Sequence, residues 1–206
     1  RCAQPCRQQY LVDGKKCGIG EYVLSPMELS NLPYIAEMIE CGIDSFKIEG
    51  RMKRPEYTAF VTAMFRKYTD LYVELGKDGY RDYIKTNRAE FENDICHLKE
   101  IYNRGGFTQG YLEGRSGVPL EKKKYDRGVM LSAKRPKHGG VLVGKVISVG
   151  KGSLRYKLDK DIYSQDVVEF CDKNMRQEYE YTVGTHLKAG MQVEARFKKG
   201  SRIFAG

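Results

Sequence analysis

The hydrophobic positions of the first 80 residues alternate between short runs and helical spacing. The run Glu21–Leu24 predicts a buried strand, and Ser25 followed by proline predicts the start of a helix. Apolar residues then recur every three or four positions up to Cys41, which precedes a glycine. Ser45–Glu49 predicts a second strand, and residues 55–76 predict a second helix that opens on proline. Strand, helix, strand and helix with short links are typical of parallel β/α units.

The period of the pattern changes towards the carboxyl end of the chain. Residues 81–102 have the spacing of a third helix, and the polar segment after them has the composition of a loop or linker. From Val141 onwards apolar and polar residues alternate, which predicts a second domain built as a small antiparallel β-barrel. Its predicted strands are 141–147, 154–158, 167–170, 179–183 and 193–197. The fold class is therefore α/β with an appended β domain.

Positive charge is concentrated in about a quarter of the chain. The 206 residues contain 36 Lys and Arg and 27 Asp and Glu, which gives a net charge of +9. Residues 104–157 hold 13 of the basic residues and three of the acidic ones, so the remainder is nearly neutral. Such a region beside a small β-barrel favours RNA as a polyanionic partner, although basic segments are also common on solvated surfaces.

Several functional classes find no support in the sequence. No apolar run approaches the length of a membrane span and the start lacks a signal-peptide pattern, so we expect a cytoplasmic protein without a membrane partner. The chain begins without methionine on a cysteine pair, which predicts a fragment of a longer protein. Neither the zinc-hydrolase motif H-E-x-x-H nor the serine-hydrolase motif G-x-S-x-G occurs.

Cys2 and Cys6 are the first candidates for chemistry. Two thiolates at this spacing can share a metal ion or cluster if Cys17 or Cys41 supplies a further ligand. The alternative is that they are inert buried cysteines. The two remaining cysteines are interpreted as core residues.

Lys47, Glu49 and Arg51 are the second candidates. In a strand the first two would share a face, at the carboxyl end where α/β barrels place their active sites. The planar guanidinium of Arg51 can hold an anion. The alternative is a buried Lys–Glu pair followed by a solvated basic helix start.

The segment from Asn103 to Tyr111 is rich in glycine and carries amide, guanidinium and aromatic groups. It can cradle a phosphate or stack a base, or it can simply end a helix in a tight turn. The candidate RNA-binding residues are its arginine and the basic residues after it, namely Arg104, Lys122, Lys123, Lys124, Arg127, Lys134 and Arg135.

Five motifs occur in order along the chain: R-C-A-Q-P-C-R (1–7), L-S-P-M-E-L (24–29), G-I-D-S-F-K-I-E-G-R-M-K (42–53), N-R-G-G-F-T-Q-G-Y (103–111) and V-G-K-V (143–146). Together they resemble the collagenase-like peptidase U32 family. The resemblance implies that residues 1–80 are the carboxyl-terminal half of a (β/α)-barrel catalytic domain. Residues 81–137 would then be a helix and basic linker, and residues 138–206 the small β-barrel domain.

The resemblance also implies an activity and a cofactor. Members are associated with oxygen-independent hydroxylation of a tRNA or rRNA nucleoside, with prephenate as oxygen source, or of a ubiquinone precursor. The resemblance implies that members bind a [4Fe-4S] cluster through cysteines. A C-x6-C pair of ligands would precede this chain, and Cys2 or Cys6 would be the next ligand. Some members carry a further cysteine where this chain has Ser30, so Cys41 or Cys17 would have to substitute.

Under this interpretation Lys47, Glu49 and Arg51 line the barrel mouth and orient an anionic cosubstrate, while the basic region docks RNA. The isolated 206 residues are expected to be inactive. The alternatives are a collagenase-like peptidase and a non-catalytic RNA-binding module.

Overall fold

Two units make up the structure, a computed structural model that describes residues 2–110, 112, 130–172 and 177–197. The units are Arg1–Val141 and Leu142–Gly206. The sequence places the start of the last domain at residue 138, four residues before the second unit. Among the described residues, no helix combines the length and the apolar character needed to cross a membrane.

Three α-helices enclose the core of the first unit. They are α1 (Ile35–Glu40), α2 (Pro55–Thr86) and α3 (Arg88–Ile101). The predicted start of α2 is confirmed, because proline suits the first helical position, where a backbone N–H has no partner within the helix. The apolar faces of the helices bury large side chains, among them Leu32, Ile35, Tyr68, Tyr80 and Leu98.

Helix α2 continues past its predicted end at Gly76. This glycine has a φ of 67°, in the left-handed region, so the helix kinks there and resumes. The predicted domain boundary at residue 80 therefore falls inside α2. α3 packs on α2 through Asp94, which accepts hydrogen bonds from Lys67 Nζ at 2.6 Å and the Tyr68 hydroxyl at 2.7 Å.

Short strands join distant segments of the first unit. β1 (Leu11–Val12) and β2 (Lys15–Lys16) form an antiparallel hairpin. β3 (Glu28–Leu29) pairs in parallel with β4 (Phe107–Thr108), so the start of the chain lies beside the segment that follows α3. The described residues of this unit also form two 3₁₀ turns, Pro5–Arg7 and Leu32–Tyr34.

The predicted strand Glu21–Leu24 and the predicted helix from Ser25 are wrong. The first segment bends and turns, and the second stays extended as far as Ser30. The backbone N–H of Ser30 donates to the carbonyl of Thr108 at 2.9 Å, one of several bonds that tie this segment to distant parts of the chain. The helix begins only at Ile35. Tertiary pairing thus overrides the local helix signal.

The predicted strand Ser45–Glu49 is also wrong. Residues 43–50 adopt no regular structure and are largely exposed. A strand needs a neighbouring backbone for its hydrogen bonds, and no strand among the described residues pairs with this segment. Its Phe46 nevertheless packs on Phe65 of α2, with 6.0 Å between the ring centroids. The half-barrel therefore remains a prediction.

Five antiparallel strands form the second unit, as the alternating pattern predicts. They are β5 (Gly144–Val149), β6 (Ser153–Leu158), β7 (Val167–Cys171), β8 (Gln177–Thr182) and β9 (Gln192–Arg196). The strands form one sheet in the order β5-β6-β9 and a second sheet of β7 and β8. Both contribute to a core that includes Leu154, Tyr156, Leu158, Val168 and Phe170. Closure into a small barrel remains a prediction.

Candidate functional site

A carboxylate with two cations forms a largely buried polar cluster in the first unit. Glu28 on β3 accepts a hydrogen bond from Arg104 Nε at 2.7 Å, and Lys53 Nζ lies 3.6 Å from the same oxygen. All three side chains are only about 15% exposed. Because two cations share one carboxylate, the cluster carries a net positive charge in a largely buried place. We call Glu28, Lys53 and Arg104 the charge cluster.

Aromatic rings line one side of the charge cluster. Lys53 Nζ lies 2.7 Å from the centroid of the Tyr102 ring and 5.3 Å from that of Tyr57. The ring of His138 stacks on Tyr102, with 5.1 Å between the centroids. Lysine over an aromatic face is attracted by the ring quadrupole, so the rings help to hold a cation that water reaches poorly.

A sharp turn before α2 brings Lys53 to the cluster. The backbone N–H of Lys53 donates to the carbonyl of Gly50 at 3.0 Å, and Met52 between them has a left-handed φ of 63°. A side chain at Gly50 would collide with the hydroxyl of Thr58 on α2. The glycine of the K-I-E-G-R-M-K motif thus leaves room for the Thr58 hydroxyl in its observed position.

Asn103 holds the arginine of the cluster in place. Its side-chain amide, 3% exposed, donates to the carbonyls of Lys99 at 2.8 Å and Gly140 at 2.7 Å. Its Oδ1 accepts the N–H of Gly106 at 2.9 Å. The N-R-G-G motif therefore ends α3 and fixes the tight turn, which confirms the structural interpretation of this segment while also aiming Arg104 at Glu28.

The surroundings of Lys53 lower its pKa to about 8. Burial is the largest cause, and the positive charges of Arg104 and Arg7 act in the same direction. Glu28 opposes the shift and keeps the pKa higher than burial alone would. The amine is therefore close to its titration point in mildly alkaline solution.

The predicted cluster ligands lie partly beside these residues. Arg104 Nη1 donates to Cys6 Sγ at 3.8 Å, and Cys2 Sγ, which is exposed, accepts the N–H of Gln4 at 3.4 Å. Cys41 is exposed at the end of α1. Within the described part of the chain no three His, Cys, Asp or Glu residues are grouped as a metal site.

The free cysteines could supply some of the ligands of an iron–sulfur cluster. All six cysteines are free thiols, and free sulfur donors are the ligands that such clusters use. Cys2, Cys6 and Cys41 do not by themselves form a three-ligand site in the described residues.

Lys47, Glu49 and Arg51 lie apart from the charge cluster, on the exposed segment before α2. Lys47 Nζ and Glu49 Oε1 form an ion pair at 2.9 Å, with the side chains 85% and 65% exposed. The alternative of a buried Lys–Glu pair is therefore wrong. Sequence reasoning missed Glu28, and it placed Lys53 in a motif without giving it a role.

The predicted RNA-binding residues are placed differently from one another. Arg104 points into the charge cluster, whereas Lys134 is exposed and Arg135 is partly exposed. The other four, Lys122, Lys123, Lys124 and Arg127, lie outside the described residues.

One known family accounts for the first four sequence motifs, which end at residue 111. The sequence model of the family described as peptidase family U32 matches residues 1–122, which include the whole charge cluster. The chain belongs to this family. The U32 match ends before the second unit begins.

Relatives of this U32 chain carry names of two kinds. It is 42% identical over 137 residues to tRNA hydroxylation protein P1 of Bacillus subtilis, covering 61% of this chain and 31% of that protein. Identity to the 23S rRNA 5-hydroxycytidine C2501 synthase of Escherichia coli is 27% over 168 residues, or 80% of this chain and 23% of that one. A collagenase of Porphyromonas gingivalis is 32% identical over 119 residues, covering 55% and 26% respectively.

The U32 chain spans between about a quarter and a third of the length of these relatives. No solved structure matches it.

The charge cluster of the U32 chain makes a titration prediction. Glu28→Gln removes the one charge that raises the pKa of Lys53, so the pKa should fall below its value of about 8. Because the folded pKa lies below the unfolded one, the contribution of Lys53 to stability should rise with pH between about 8 and 10.5. NMR titration of the labelled lysine side chain measures the pKa of Lys53 in the parent protein and in Glu28→Gln. Glu49→Gln is the control and should leave Lys53 unchanged, and a Lys53 pKa that rises in Glu28→Gln would contradict the described electrostatics.

Proposed function

We propose that this chain is part of an iron–sulfur enzyme that hydroxylates RNA without molecular oxygen, with prephenate as the oxygen source. The observation that carries the proposal is the largely buried, positively charged cluster beside Cys6, which lies within the residues matched by the U32 family model. One relative of the chain is named as a tRNA hydroxylation protein. Since the chain covers 31% of this relative and 23% of the rRNA synthase, the proposed activity is that of a protein with the relatives' full length.

The cysteine pair would contribute to holding a [4Fe-4S] cluster. Cys2 and Cys6 are the proposed ligands, with Cys41 as a further candidate and the remaining ligands outside this chain. When bound, such a cluster supplies electron transfer and a Lewis-acidic iron. Arg104 would place a positive charge next to the ligand sulfur of Cys6.

The anionic cosubstrate would be held by the basic residues of the motif around Lys53. Prephenate carries two carboxylates, which match guanidinium and ammonium groups. Arg51 and Lys47 are exposed and accessible to such an anion, and the surplus positive charge of the charge cluster attracts it electrostatically. Glu49 would orient Lys47 through their ion pair.

Hydroxylation of RNA would place the protein in the cytoplasm with tRNA or rRNA as its partner. The test is mass spectrometry of nucleosides from total RNA of a strain that lacks the gene. One nucleoside should lose one oxygen, and the complete gene should restore it. An unchanged nucleoside profile, with the gene known to be expressed in the parent strain, would overturn the proposal.

A peptidase is the second candidate, because two relatives are named collagenase. It predicts gelatin cleavage by the complete protein that persists at constant specific activity through stringent purification. Cleavage that separates from the protein during purification would remove this candidate.

A further inference from the structure

The solvent face of the three-stranded sheet in the second unit is strongly basic. On β6, Leu154, Tyr156 and Leu158 point into the core, so the residues between them, Arg155 and Lys157, point to solvent. Residues that pair directly across antiparallel strands lie on the same face. The pairing of β5 and β9 with β6 therefore shows which residues of those two strands lie on the same face as Arg155 and Lys157.

Cross-strand pairing adds two cations to this face. Lys145 on β5 pairs with Lys157, and Arg196 on β9 pairs with Ser153. Glu194, which pairs with Arg155, is the acidic residue among them. We call Lys145, Arg155, Lys157 and Arg196 the basic face.

The direct pairing of Lys145 with Lys157 is unfavourable for folding. Like charges directly opposite each other on neighbouring strands destabilise a sheet. Folding alone gives no reason to place them there. A ligand of opposite charge would convert this repulsion into binding energy.

We propose that the basic face binds the phosphate backbone of RNA. The inference deepens the proposed function, since it takes RNA as the substrate and names a docking surface for it. Arg155 and Lys157 are two residues apart on one strand, about 7 Å, which is comparable to the separation of successive phosphates along a nucleic-acid strand. Lysine and arginine in such a row make sequence-independent phosphate contacts.

Salt dependence of RNA binding tests this inference in the complete protein. The variant Lys145→Gln/Lys157→Gln removes two cations and keeps side chains of similar length. With a labelled single-stranded oligoribonucleotide as the probe, the slope of log affinity against log salt should become shallower by about 1.4, since each lost phosphate contact contributes about 0.7. Affinity at low salt should fall at least tenfold.

Lys85→Gln/Lys188→Gln is the matched control. Both lysines are exposed, the first on α2 and the second outside the strands of the second unit, and the change in net charge is identical. The control should retain the parent slope. Equal slopes and affinities in the two double variants would overturn the inference, and this is also the result expected if the face instead bound an acidic protein.

The outcome is separable from that of the proposed function, because binding needs neither iron nor prephenate. Weaker RNA binding by Lys145→Gln/Lys157→Gln supports RNA docking on the basic face even if a gene deletion changes no nucleoside. Unchanged RNA binding by Lys145→Gln/Lys157→Gln overturns this inference even if the deletion removes a hydroxylated nucleoside.

Discussion

Replacing Glu28 with glutamine should lower the free energy of unfolding by about 2–4 kcal/mol, since removing one partner of a largely buried ion pair leaves an uncompensated charge. Here two cations lose the same partner, because Arg104 Nε and Lys53 Nζ both approach the carboxylate of Glu28. Glutamine keeps the side-chain volume and one acceptor oxygen, so the decrease in the free energy of unfolding measures the effect of removing the charge. Chemical denaturation followed by the helical circular dichroism signal measures it, because the described helices all lie in the first unit.

Glu49→Gln is the matched control for this prediction. It removes the same charge from an ion pair whose two side chains are 85% and 65% exposed. An exposed pair contributes at most about 1 kcal/mol and often nothing measurable. A loss at Glu28 no larger than that at Glu49 would show that the cations at the charge cluster do not depend on their carboxylate.

Elements that depend on local signals were predictable from the sequence. The start of α2 follows from Pro55 and the helical spacing after it, and the strands of the second unit follow from alternation such as that of Leu154, Tyr156 and Leu158. The pairs β5–β6 and β7–β8 are close in sequence, whereas β9 pairs with the more distant β6. The strands themselves, although not the pairing of β9, carry a local signal. The alternating pattern therefore suffices to locate them.

Elements that depend on distant partners were not predictable. Glu28 follows a serine and a proline, which locally favour the first turn of a helix, yet it lies in a strand that pairs with Phe107. No local signal reveals a parallel pairing across so long a segment. The reverse error occurred at Ser45–Glu49, where a strand-like pattern finds no paired neighbour among the described residues.

The candidate site shows the same division. Alternation within a supposed strand singled out Lys47 and Glu49 of the K-I-E-G-R-M-K motif, whereas the largely buried cation of this motif is Lys53. A turn with a left-handed residue at Met52 turns Lys53 inward, and such a backbone is not expected of methionine. Glu28 carried no signal because a single glutamate near a proline is common in helices.

In the complete protein, the double variant Cys2→Ser/Cys6→Ser should lose most of its iron and sulfide, and a strain that carries it should lose the hydroxylated nucleoside. The reason is that serine oxygen is a poor substitute for the thiolate that an iron–sulfur cluster requires. Metal and sulfide analysis after anaerobic purification measures the first effect, and mass spectrometry of RNA nucleosides measures the second. The single variants then assign the ligand, and Cys41→Ser tests the third candidate.

Cys96→Ser is the control for these variants. Cys96 lies on α3 and is partly buried, and its thiol is 3.6 Å from Glu100 one turn further along the same helix. Its replacement should leave both iron content and the nucleoside unchanged. If the Cys2 and Cys6 double variant kept full iron, sulfide and nucleoside levels, the cysteine pair would have no role in a cluster. The contact between Cys6 and Arg104 would then serve only to pack the start of the chain against the charge cluster.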